Sequence, residues 1–255
     1  MKVGFIGVGN MGGPMCRNII RNTNHDVVVF DLNPAAIKAC TDLGATAGTS
    51  VAQVASGCDV VFTSLPMPRN VEEVALGAGG IAESARPGAV YIDLSTNAPA
   101  TARRVNEGMR AKGIQMLEAP VSGGVPRATD GSIVIMVGGD ATTFDAQLPL
   151  LKSFSGEVVH VGEIGMGSVA KLVNNMLAFC NAAAAAEALT IGAMAASICA
   201  SCSRSSATPA ATPRRSATSR RRRSSGNSPR PSRSIWRTRT CGWRWSLPTN
   251  WAFRA

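Results

Sequence analysis

Through the first 162 residues, short apolar runs alternate with stretches in which apolar positions recur every third or fourth residue. These are the periods of buried strands and amphipathic helices. Strands are expected at residues 3–8, 27–31, 60–64, 90–93, 116–119, 133–137 and 158–161. Helices are expected at 11–21, 34–43, 70–76, 99–112 and 141–152. Such alternation builds a parallel sheet covered on both faces, so the fold class is α/β, a Rossmann-type doubly wound sheet. A Gly-rich turn at 162–167 then opens one long apolar helix, from about Ser168 to Ala195. Leu172, Asn175, Met176 and Phe179 recur along it at helical spacing. Its Leu, Met and Phe read as core packing, because a helix this apolar has to be buried against a partner. Three segments follow: a dinucleotide-binding domain over 1–162, an inter-domain helix over 163–195, and a tail over 196–255. There is no internal repeat.

Composition changes this picture only at the tail. The 255 residues carry a formal charge of +10, which would normally suggest an anionic partner. Residues 1–196, however, hold 13 Lys and Arg against all 16 acidic residues, a net of −3. Residues 197–255 hold 13 Arg, no acid, and all four Trp. The body is therefore a slightly acidic globular protein with enough chain for a large core.

The cysteines form no disulfide or zinc framework. Cys16, Cys40, Cys58 and Cys180 are expected as small buried apolar residues. Cys199-Ala200-Ser201-Cys202 has redox spacing but follows no strand-to-helix turn, and His25 and His160 read as structural. Met1 and Lys2 run straight into the first strand, so no leader is expected, and Glu187 interrupts the Ala-rich run. A cytoplasmic protein without a membrane span is the expectation.

Chemistry enters at Gly7-x-Gly9-x-x-Gly12, which follows a strand and opens a helix. Gly7 suits a tight turn, Gly9 leaves room for a pyrophosphate, and Gly12 lets the helix pack close to the strand. Asp31 ends the next strand, where a carboxylate accepts ribose hydroxyls and repels a 2′-phosphate. The implied cofactor is NAD rather than NADP. Asp93-Leu94-Ser95-Thr96-Asn97 places hydroxyls at a strand's carboxyl edge. Glu118-Ala119-Pro120-Val121-Ser122-Gly123-Gly124 offers a hydroxyl and open backbone N–H groups suited to a carboxylate. Lys171 and Asn175 lie one turn apart on one face of the long helix.

Taken in this order, the motifs resemble the β-hydroxyacid dehydrogenase family over about residues 1–195. Phe5-Ile6-Gly7-Val8-Gly9-Asn10-Met11-Gly12 is similar to its N-terminal signature, and Leu65-Pro66-Met67 to its cofactor-contacting loop. The resemblance implies that Ser122, Gly123 and Gly124 hold a substrate carboxylate and that Lys171 transfers the proton. It further implies that Asn175 orients the substrate and that Thr96 lies near the nicotinamide. Asn10, Met11, Leu65 and Pro66 join the glycines and Asp31 as cofactor-binding residues. The implied reaction is NAD-dependent oxidation of 3-hydroxyisobutyrate to methylmalonate semialdehyde, without a metal. Tartronate semialdehyde or another short hydroxy acid is the alternative substrate. The long apolar helix points to a homo-oligomer.

After about Ala195 the family pattern stops. The family continues into an all-helical domain with a Lys-Asp segment; here the chain is rich in Ser, Arg, Thr and Pro, with Arg220-Arg221-Arg222-Arg223. That composition suits disorder. Read one base out of register with permitted synonymous codons, residues 236–255 become LAHKDLRLALELADELGVPG and residues 197–213 become EHLRVLLEVIRNTSGNS. Both are amphipathic helices, and the first supplies the Lys-Asp segment. A frameshift is the reading adopted, with impaired activity for the chain as written. The competing reading, an NAD-binding fragment with a basic nucleic-acid-binding tail stacking bases on Trp243, Trp245 and Trp251, leaves those helices as coincidence. Nucleic acid is not expected as a partner.

Overall fold

The computed structural model describes residues 1–194, which fall within one compact unit. The expectations for the tail, its Cys pair and its Trp residues lie outside the described residues. In chain order the elements are β1 (Lys2–Ile6), α1 (Gly12–Asn22), β2 (Asp26–Phe30), α2 (Pro34–Thr41), β3 (Thr46–Ala47) and α3 (Val51–Gly57). Then come β4 (Val60–Thr63), α4 (Pro68–Leu76), α5 (Ile81–Ser84), β5 (Val90–Asp93), α6 (Pro99–Arg110) and β6 (Gln115–Glu118). The described part ends with β7 (Val121–Ser122), α7 (Gly124–Asp130), β8 (Val134–Gly139), α8 (Ala141–Lys152), β9 (Glu157–Gly162) and α9 (Met166–Met194).

The strands form one sheet in the order β3-β2-β1-β4-β5-β6-β8-β7, with β9 on the other edge of β8. Strand residues alternate between two cores, as the period of two requires. Val3, Phe5, Val27, Val29, Val60, Phe62 and Ile92 face one cluster. Ile6, Val28, Val61, Tyr91 and Met116 face the other. Phe62 stacks on Phe5 at 5.5 Å between ring centroids and meets Phe154 edge-on at 5.8 Å, tying α8's end to the sheet centre. A doubly wound sheet is thus present. The chain order reverses between β1 and β4, which opens a crevice at the strands' carboxyl ends.

Three expectations require correction. The sheet is not wholly parallel: β8 runs antiparallel to β6 and β7, while β1, β2, β4, β5 and β6 are parallel. The chain between β6 and β8 holds only β7, itself paired to β8, and the seven-residue α7; it folds straight back instead of crossing over. Second, the Leu172, Met176 and Phe179 stripe is exposed, Phe179 at 70%, rather than packed in the described core. The helix rests on β8, β9 and α6 through its start, and past Ser168 none of its described side chains is buried. Third, Cys180 is exposed for the same reason, whereas Cys16, Cys40 and Cys58 are buried as expected.

Short elements escaped periodicity. α3 carries its own signal: Ser50 caps it by accepting from Gln53 N at 3.1 Å, while the Gln53 side chain accepts from Thr49 N at 3.2 Å. Among the described residues, no helix is long and apolar enough to cross a membrane.

Candidate active site

The crevice at the switch point is a cleft of about 960 Å³. Its floor is the Gly-rich turn. Gly7 has φ +87°, and a Cβ there would lie 2.4 Å from Ser64 O, so only glycine fits. A Cβ on Gly12 would strike Gly7 O at 1.9 Å, which is how α1 comes so close to β1. Around Gly9, by contrast, a Cβ would meet nothing within 4 Å: the backbone there faces open space. No side chain caps the start of α1 at Met11; Gly13 N donates to Gly9 O at 2.8 Å and Pro14 has no N–H, which leaves the Gly12 N–H as the first-turn donor for an anion. These features fit a pyrophosphate. Asn10 and Met11 line the cleft beside the glycines.

Asp31 stands at the end of β2 on the same cleft. Its Oδ2 accepts from Val8 N and its Oδ1 from Asn33 N, both at 2.8 Å. The carboxylate is therefore held in place by the Gly-rich turn itself, with further lone pairs left on each oxygen for ribose hydroxyls. Leu65 and Pro66, from the loop after β4, and Asn70, Glu73 and Val74 of α4 line the same cleft. The pattern of the sequence did not single out these α4 residues.

Thr96, Gly124, Lys171 and Asn175 line the same cleft. Thr96 follows β5, Gly124 begins α7, and the last two sit on α9. Lys171 is half-buried, and this loss of solvent lowers its pKa from the ordinary lysine value. Ser122 and Gly123 are not among the residues that line the cleft, although Val121 and Gly124 on either side of them are. The Ser122 hydroxyl accepts from Asn174 Nδ2 at 3.1 Å. Gly123 and Gly124 have φ of +132° and +70°, and a Cβ on Gly123 would press on the Arg127 side chain at 2.7 Å. The two glycines make a turn that a side chain at either position would strain.

Two functional groups were not anticipated. Asn174 joins the Ser122 turn to the helix of Lys171. Glu118, buried at the end of β6, accepts from Gly165 N, from Gly167 N at 2.8 Å, and from Ser168 N and Oγ at 3.2 and 2.5 Å. The sequence signal was present in both cases, an acid at a strand's carboxyl end and an Asn beside Asn175, but spacing alone gave neither a partner.

Residues 2–162 match the family described as the NAD binding domain of 6-phosphogluconate dehydrogenase. The chain is 42% identical over 190 residues to 3-hydroxyisobutyrate dehydrogenase of Pseudomonas aeruginosa, covering 74% of this chain and 63% of that one. It is 39% identical over 192 residues to 2-(hydroxymethyl)glutarate dehydrogenase of Eubacterium barkeri, covering 75% and 64%. The chain thus spans less than two thirds of the length of either relative. Among solved structures, that of Mycobacterium tuberculosis 3-hydroxyisobutyrate dehydrogenase with L-serine superposes with a TM-score of 0.72 at 34% identity, over 77% of this chain and 66% of the other.

Proposed function

This chain belongs to the β-hydroxyacid dehydrogenase family and carries its NAD-binding domain, and from that premise we propose that it oxidises a short β-hydroxy acid. One observation carries the reading: Lys171 and Asn175 line the same cleft as the Gly-rich turn and Asp31. When bound, NAD supplies the hydride acceptor for the alcohol carbon. Lys171 Nζ takes the hydroxyl proton as the hydride leaves, so the carbon loses two electrons and an aldehyde results. Its lowered pKa makes the neutral amine more accessible than it is for a solvated lysine. Asn175 orients the hydroxyl, Thr96 borders the reacting carbon, and Ser122, Gly123 and Gly124 receive the substrate carboxylate. In the reverse direction, protonated Lys171 polarises the carbonyl.

The substrate proposed is 3-hydroxyisobutyrate, supported by the relative sharing 42% identity. A longer hydroxymethyl acid is the second reading, supported by the relative at 39%, and tartronate semialdehyde shares the same carboxylate chemistry. The frameshifted tail remains part of the proposal: the chain as written turns over slowly, and a self-associated form covers α9. The test is NADH formation by the purified chain with 3-hydroxyisobutyrate, serine and 2-(hydroxymethyl)glutarate in parallel. The reading holds if 3-hydroxyisobutyrate has the highest kcat/KM, and it falls if none of the three supports NADH formation.

A further inference from the structure

The carboxylate of Asp93, at the end of β5, takes no part in the chemistry above and is 1% exposed. Its Oδ1 accepts from the Thr63 hydroxyl at 2.8 Å and from Ser95 N at 3.1 Å, and its Oδ2 accepts from Asn97 Nδ2 at 2.6 Å. The Tyr91 hydroxyl extends the cluster, 2.8 Å from Thr63 Oγ1. Burial pushes the Asp93 carboxyl up from the usual range, and hydrogen bonds from Ser95 and Thr63 pull it back. Asn97 turns its amide nitrogen to Asp93 and leaves its own Oδ1 buried without a partner. A buried carboxylate and an orphaned carbonyl are both costly, so a cluster that keeps both has a use beyond folding.

That use lies one step further along. Ser95 Oγ accepts the N–H of Leu65 at 2.9 Å. Asp93 holds Ser95 through the Ser95 backbone N–H, which sets where the hydroxyl oxygen meets the Leu65 N–H. Leu65 begins the loop after β4 that lines the same cleft as Asp31, and the next residue, Pro66, has no N–H of its own. Leu65 N–H is thus the donor available where the loop crosses the cleft. The loop also abuts the Gly-rich turn, since Ser64 O lies where a side chain on Gly7 would stand.

We propose that Asp93 and Ser95 are positioning residues for the dinucleotide: the buried carboxylate orients Ser95, and Ser95 fixes the Leu65–Pro66 loop against the cofactor. Asp93 itself does not touch the ligand. The inference rests on the NAD site described above but not on the substrate or on Lys171, so it can be read in binding alone.

The experiment is calorimetric titration of the full chain with NAD, with thermal unfolding and hydrogen exchange at the Leu65 amide measured alongside. Ser95→Ala removes the acceptor for Leu65 N–H, and loss of one such bond should weaken NAD about tenfold. The unfolding midpoint should stay within a few degrees and exchange at Leu65 should accelerate. Ser95→Thr, which keeps the hydroxyl, should restore affinity to within about twofold of the parent. Asp93→Asn should behave like Ser95→Ala wherever it folds. If Ser95→Ala binds NAD as tightly as the parent, or if Ser95→Thr fails to rescue, the positioning role is refuted while the NAD site stands. If the parent itself binds no NAD, the site falls and takes this inference with it.

Discussion

Glu118 caps the helix that carries Lys171: its carboxylate accepts from both N and Oγ of Ser168, three residues before the lysine. Gly165 N and Gly167 N donate to the same carboxylate, so one buried acid satisfies the orphan N–H groups at the start of α9. It also complements the positive end of the helix dipole. β6 thereby sets where α9 leaves the sheet, and with it where Lys171 meets the cleft.

Removing that carboxylate strands several buried donors at once. Glu118→Ala should destabilise the fold by about 3 kcal/mol, more than the roughly 1 kcal/mol expected for Ser168→Ala, which removes one hydroxyl donor. Chemical denaturation compares the two. Equal effects would mean that Ser168 alone, and not the backbone donors, gives Glu118 its value.

Asp31 has two tasks, and one substitution separates them. Asp31→Asn keeps the shape but removes the charge and places an amide donor against Val8 N or Asn33 N. NAD affinity should fall about tenfold as those contacts and the ribose acceptor are lost. NADP should lose less, because the repulsion of its 2′-phosphate disappears. Titrations with both dinucleotides give the ratio. A preference for NAD unchanged by the substitution would remove Asp31 from cofactor choice.

The pH dependence follows from Lys171. Burial lowers its pKa, and oxidation needs the neutral amine. Hydroxy acid oxidation should therefore rise with pH and level off at a midpoint below the ordinary lysine value. Aldehyde reduction, which needs the protonated amine, should fall through the same midpoint. Lys171→Arg should remove the inflection from kcat/KM profiles in both directions.

The exposed stripe of α9 makes the remaining prediction. Leu172, Met176 and Phe179 present an apolar face that no described residue covers, and a second copy of the chain is the partner proposed for it. Sedimentation should show a dimer or larger species, and Phe179→Asp should shift it toward monomer. A monomeric parent would end this reading.

The parts of the fold set by strict periodicity were legible in the sequence. The strands before and after the Gly7 turn appear where their apolar runs place them, and the helix at 141–152 where its Phe144, Leu148 and Leu151 spacing places it. The direction of β8 was not legible, since a strand's apolar pattern is the same whichever way it runs. The stripe on α9 reads in the sequence as core packing, whereas it is exposed among the described residues. Hydropathy states that a face is apolar but not where its cover comes from. At the site, the glycines and Asp31 were readable because each answers to a backbone requirement. Glu118 and Asn174 stood in visible motifs, but spacing assigned them no partner because those partners lie about 50 residues away in the chain.

The most direct test of the account is a paired assay of NADH formation from 3-hydroxyisobutyrate by the parent chain and by Lys171→Ala, with NAD affinity measured on both. The account predicts slow but substrate-dependent turnover by the parent, at least about a hundredfold loss in the variant, and equal NAD affinity. Turnover that survives Lys171→Ala, or a parent that binds NAD and oxidises no hydroxy acid, would contradict it.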